Sequence, residues 1–109
     1  MVEIEKIGEE SWQDFDAKLI SQVPHAAGLI ELADIKREVI YLDGGPDLNK
    51  KLFELLETYN PCLDDVKHFR VEINPNVDES YLKSFKKYKE ENDNKIPRCN
   101  RSDPTRKLR

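Results

Sequence analysis

The chain has 109 residues, a length that suits one domain, because single cores commonly span roughly 100–150 residues. Apolar residues make up 38% and charged residues 37%, which is too apolar for wholesale disorder and leaves material for one modest core. The net charge of −4 excludes attraction to polyanions by bulk charge, and no apolar run approaches the roughly 20 residues needed to cross a bilayer.

The opening segment MVEIEKIGEES is acidic and lacks the basic-then-apolar order of a signal peptide, so a cytoplasmic location and no membrane partner are expected. Ser11 followed by Asp14 looks like a helix start, and Trp12, Phe15, Leu19 and Val23 recur at helical spacing with Ile20 widening the stripe. A helix is therefore expected over residues 11–22, ended by Pro24. Gly28-Leu29-Ile30-Glu31-Leu32 and Val39-Ile40-Tyr41-Leu42 read as two strands of a hairpin joined by a polar connection. Both are apolar on nearly every residue, which implies a sheet covered on both faces.

Asp43-Gly44-Gly45-Pro46-Asp47 is turn chemistry, and Asp47 caps a helix with apolar positions Leu48, Leu52, Leu55, Leu56 and Tyr59. Asn60-Pro61 stops it. Phe69, Val71 and Ile73 alternate with His68, Arg70 and Glu72, a third strand with one wetter face. Asp78 is the expected cap of a last helix whose stripe is Tyr81, Leu82, Phe85 and Tyr88. Asn92-Asp93-Asn94 ends that helix, and Ile96-Pro97 begins an irregular tail. The order is α-β-β-α-β-α: an α/β (α+β) domain with a small three-stranded sheet flanked by helices. Residues 1–26 form an N-terminal extension with one helix packing on the domain, residues 27–100 the domain, and residues 101–109 a basic tail.

Several of these segments carry a family pattern. Gly28-Leu29-Ile30 and Tyr41-Leu42-Asp43 are followed by a glycine-containing turn and by Asp47-Leu48-Asn49-Lys50-Lys51-Leu52, and Pro97-Arg98-Cys99-Asn100 follows the last helix. In order and spacing this resembles the GIY-YIG nuclease domains, with their Gly-Ile-Tyr, Tyr-Ile-Gly, Asn-Leu-x-x-Arg-Leu and Pro-x-x-Asn segments. The resemblance runs over most of the chain. It implies phosphodiester hydrolysis with one divalent metal, Mg²⁺ or Mn²⁺. A tyrosine from each motif would position the attacking water, an arginine on the next helix would neutralise the phosphate, and a later glutamate would hold the metal. Such chemistry rests on positioning and on neutralising equatorial oxygens.

The chain departs from that pattern. Ile30 stands at the first tyrosine and cannot move a proton, whereas Tyr41 is retained at the second. Asp43 replaces the motif glycine, although Gly44 and Gly45 follow it. Lys51 falls where the arginine belongs and keeps the charge without the bidentate fork. Ser84 or a neighbour falls where the metal glutamate belongs, and Glu79 is the nearby acid that could replace it. Tyr41 and Lys51 are thus the vestigial catalytic pair, and Glu79 the metal candidate. Loss of members of a cooperative unit costs orders of magnitude in rate, so ordinary nuclease activity is not expected. Three readings follow: a non-catalytic domain with weak DNA or RNA contact through Lys50, Lys51, Arg70, Arg98 and Arg101; a slow metal-dependent endonuclease; and a module for a protein partner. The sequence carries no signal for oligomeric state.

Other signals are weaker. Lys95, Arg98, Arg101, Arg106, Lys107 and Arg109 form a basic tail that either tracks phosphates or is a solvated terminus. Arg70 either joins a basic cleft or sits on a solvated strand face beside Glu72. His25, Cys62, His68 and Cys99 lack the close pairing of a zinc site. A Cys62–Cys99 disulfide is possible between two loops, but the expected compartment argues against it. The Gly-Gly-Pro turn is too short for a phosphate loop.

Overall fold

The computed structural model describes residues 12–105. The elements in chain order are β1 (Gln13–Asp14), α1 (Ala17–Ile20), β2 (Gly28–Ala33), β3 (Val39–Gly45), α2 (Leu48–Glu57), a 3-10 turn (Pro61–Asp65), β4 (His68–Ile73) and α3 (Val77–Glu91). The strands form one sheet in the order β1-β4-β2-β3, antiparallel throughout. The architecture is α+β, as expected, but with a fourth strand.

That fourth strand corrects the expected first helix. Gln13 pairs with Phe69 and Asp14 with His68, so these residues extend along β4 and α1 is left with one turn. The cap is Asp16, whose side chain accepts from the Leu19 amide at 2.9 Å. The expected cap, Ser11, lies outside the described residues. Part of the apolar stripe is buried all the same: Ile20 and Val23 enter the core, while half-buried Phe15 meets Phe69 edge to face at 6.3 Å. Tertiary pairing to β4 overrode the helical period, which a short stretch cannot enforce alone.

The hairpin forms where expected, and so does the second helix except at its end: α2 stops at Glu57, and Tyr59, expected on its apolar stripe, is exposed. Residues directly opposite in an antiparallel pair share a face. Ile30 lies opposite Asp43 and Val71, and Leu32 opposite Tyr41 and Phe69. Leu48 and Leu52 of α2 pack into the same cluster as Ile30, Leu32, Phe69 and Val71. Asp47 caps α2 through the Lys50 amide at 3.0 Å. The buried Asn49 side chain donates to the Ile20 and Val23 carbonyls, tying α2 to the end of α1.

The other face is covered by α3 over β2 and β3, and there Leu29, Ala33, Leu42 and Phe85 are buried. The position before α3 is Asn76, without a side-chain capping bond, and Asp78 instead lies in the first turn, where its charge suits the helix N-terminus. Asp93 and Asn94 terminate the helix with left-handed backbone, φ 57° and 65°. The chain then runs as a strap along the outer edge of β3. The Cys99 amide donates to the Ile40 carbonyl at 2.8 Å. The Asn100 side chain accepts from the Leu42 amide and donates to the Leu42 carbonyl, each at 2.9 Å. An exposed strand edge is thereby closed by a side chain that imitates a peptide. Contrary to the sequence expectation, Cys62 and Cys99 are joined as a disulfide, linking the 3-10 turn to this strap. No helix among the described residues is long and apolar enough to cross a membrane.

Candidate functional site

Tyr41 and Lys51, the pair singled out in the sequence, meet at one carboxylate. Tyr41 and Asp43 are two apart on β3, so both point to the α2 face. The Tyr41 hydroxyl donates to Asp43 Oδ2 at 2.9 Å, and Lys51 Nζ of α2 lies 3.5 Å from the same oxygen. Asp43 Oδ1 accepts from the Gly44 amide at 2.7 Å. A register shift between Leu32 and Ala33 sits beside this group: Tyr41 opposes Leu32 and Val39 opposes Ala33, leaving Ile40 as an extra residue. Such a bulge bends an edge strand and re-aims its side chains.

Burial, then the charge of Asp43 and the hydrogen bond it accepts, push the Tyr41 hydroxyl well above the ordinary tyrosine value. Burial, with Asp43 and then Asp103, also raises Tyr81 on α3. Around neutrality both are neutral hydroxyls facing a carboxylate. Tyr41 is a hydrogen-bond donor here and not a base.

Ile30, where the resemblance would place the first tyrosine, is fully buried opposite Asp43. Leu29, Ile30, Glu31, Leu42, Asp43, Tyr81 and Ser84 line a notch of about 10 Å³, room for roughly one water. Ser84, which with its neighbours stands where the resemblance would place the metal glutamate, thus lies beside Asp43 and Ile30 but supplies a neutral hydroxyl. Glu79 is exposed near the start of α3 and lines no part of this notch. Among the described residues, no three His, Cys, Asp or Glu side chains converge for a metal ion. Asp43 is already engaged by a hydroxyl, an amide and an ammonium. This donor set does not fit the single Mg²⁺ or Mn²⁺ that the resemblance implies.

The expected basic residues do not assemble into one cleft. Lys50 and Lys51 border an open groove with Gly44, Gly45, Asp47 and Glu54. Arg70 opposes Glu31 across β4 and β2, on the face away from Asp43. Its Nε donates to Glu31 Oε1, and its guanidinium lies 4.1 Å from the centre of the Trp12 ring. Its partner is Glu31 and not the neighbouring Glu72. Arg98 pairs with Asp65 at 3.1 Å, and Arg101 is exposed beside Lys95. Arg106, Lys107 and Arg109 lie outside the described residues.

Two features went unread in the sequence. The contact of Asp43 with Tyr41 had a signal, because alternate residues on a strand share a face. The stacking of Trp12 on Arg70 had none, since it needs β1 beside β4.

The fold and site together define a small antiparallel α+β domain built around a neutralised Tyr-Asp-Lys group. Residues 8–91 match the model of a family described as a domain of unknown function, DUF7508, and the chain belongs to that family. No curated protein matches the chain.

Proposed function

We propose that this chain is a GIY-YIG-like domain that does not cut nucleic acid and is reused as a binding scaffold. The order of hairpin, helix, strand and helix supports the resemblance, as does the strap residue Asn100 at the strand edge. The observation that carries the non-catalytic reading is Asp43. Its carboxylate takes up both the Tyr41 hydroxyl and the Lys51 ammonium, the groups a phosphate would need. An internal anion held in place by the fold competes with an incoming one without the cost of association. With Lys51, Arg70 and Arg98 all paired, the nucleic-acid contact that remains is weak and salt-sensitive, through Lys50 and Arg101.

The test incubates purified protein with supercoiled plasmid, labelled single strands and RNA, with magnesium or manganese. Tyr41→Phe, Asp43→Gly and a chelator control run in parallel. The expected result is no cleavage by the wild type and no gel shift at moderate salt. Asp43→Gly is expected to gain a salt-sensitive shift, because it releases Lys51 and Tyr41. Wild-type cleavage that needs the metal and disappears in Tyr41→Phe would sink the proposal and assign a working nuclease.

A further inference from the structure

We propose that the Cys62–Cys99 disulfide is a redox latch on the strap that closes the outer edge of β3. The bond joins the 3-10 turn to the strap with Cα atoms 5.7 Å apart and a sequence separation of 37. The cysteine on the strap is flanked by the contacts that cover the edge. The Cys99 amide holds the Ile40 carbonyl, and the next residue, Asn100, holds both backbone groups of Leu42. Those two strand residues enclose Tyr41, so the covered edge belongs to the strand that carries the Tyr41-Asp43 pair.

What remains without the covalent bond is modest. The Arg98–Asp65 ion pair runs parallel to it, with both side chains more than half exposed, and exposed pairs contribute little. Farther along, Lys89 on α3 holds Asp103, which anchors the far end of the strap and not the edge contacts. While the disulfide is closed, the strap cannot leave the edge as a unit. Once it is open, the Cys99–Ile40 and Asn100–Leu42 hydrogen bonds, the exposed Arg98–Asp65 pair and the burial of Pro97 and Cys99 are what oppose local opening.

The sulfurs differ in access, which sets the order of reduction. Cys99 is 7% exposed, whereas Cys62 is only half-buried. The thiolate of a small dithiol attacks Cys62 Sγ, forming a mixed disulfide and releasing the Cys99 thiolate, which takes a proton. The second reductant thiol then closes on the first, and Cys62 leaves as a thiolate and is protonated. Two electrons and two protons pass to the protein, and the dithiol becomes a cyclic disulfide. Opening frees the Leu42 amide and carbonyl to pair with an added strand.

The experiment is residue-resolved amide hydrogen exchange on the full chain. It compares the oxidised protein, the protein reduced with dithiothreitol, and a Cys62→Ala/Cys99→Ala variant. The expected result is that reduction speeds exchange at Leu42 and Cys99 at least tenfold more than at the central-strand amides of β2. The double variant should match the reduced protein and ignore dithiothreitol. Exchange at Leu42 that is unchanged by reduction, or raised only in step with β2, would overturn the latch. So would alkylation of both cysteines in the air-oxidised protein, which would show that the bond does not form.

Discussion

Gly28 opens the first motif of the chain, and its environment states why no side chain is tolerated there. A Cβ at this position would lie 2.1 Å from the Glu72 carbonyl oxygen and 2.8 Å from Leu48 Cδ1. The glycine lets β4 and α2 approach β2 together, which seats α2 against the sheet and brings Lys51 to Asp43. Gly28→Ala is expected to cost about 1–3 kcal/mol or more, since the obstructing atom is backbone and cannot rotate away. The urea midpoint at constant slope measures this, and a midpoint equal to wild type would refute the close-approach account. Asp43 shows the same economy at the opposite pole: one carboxylate engages both the Tyr41 hydroxyl and the Lys51 ammonium.

At the scale of elements, the strap after α3 is the part most dependent on single polar contacts. Its far end is held by Asp103. Partial burial pushes the Asp103 carboxyl up, but hydrogen bonds from Lys89 and from the Thr105 hydroxyl and amide outweigh this and hold it at about 2. The folded value lies below the unfolded value of roughly 3.9, so the contribution is present above roughly pH 4 and is lost as the pH falls toward 2. Asp103→Asn is therefore expected to be less stable than wild type at neutral pH and to lose less stability between roughly pH 4 and pH 2. Urea midpoints across that range check it, and parallel curves for the two proteins would count against the assignment. At the other end of the chain, β1 is held by Gln13 and Asp14 pairing with β4 and by Trp12 on Arg70. Arg70, a candidate for phosphate binding in the sequence, serves to fasten this strand.

For the whole molecule, the disulfide and the sheet stabilise the fold in different ways. The sheet buries Ile30, Leu32, Phe69 and Val71 at its centre. The disulfide acts mainly on the unfolded chain, where it closes a loop with a sequence separation of 37. A loop of that size is worth about 3–4 kcal/mol. Cys62→Ala/Cys99→Ala is accordingly expected to lower unfolding free energy by about that amount at neutral pH. Chemical denaturation of the oxidised wild type and the variant gives the comparison. A loss under about 1 kcal/mol would mean the native bond constrains little in the unfolded chain.

Contributions made by neighbours along the chain were legible in the residues alone. The β2–β3 hairpin, α2 with its Asp47 cap, β4 and α3 follow from periodicity and turn chemistry, and all appear in the sheet and its layers. The hydroxyl of Tyr41, the apolar side chain of Ile30 and the charge of Lys51 were likewise plain from residue type. Which partner each polar group takes was settled by packing between distant elements. Trp12 to Asp14 carry a helical pattern, yet β4 offered them an edge, and hydrogen bonds across it outweighed one more turn of a short helix. Arg70 had Glu72 beside it in sequence and took Glu31 from the neighbouring strand. Cys62 and Cys99 became partners because the strap returns along β3. Periodicity reports which face a residue occupies. Charge neutralisation and covalent pairing depend on distances between elements far apart in the chain, and those exist only once the sheet has formed.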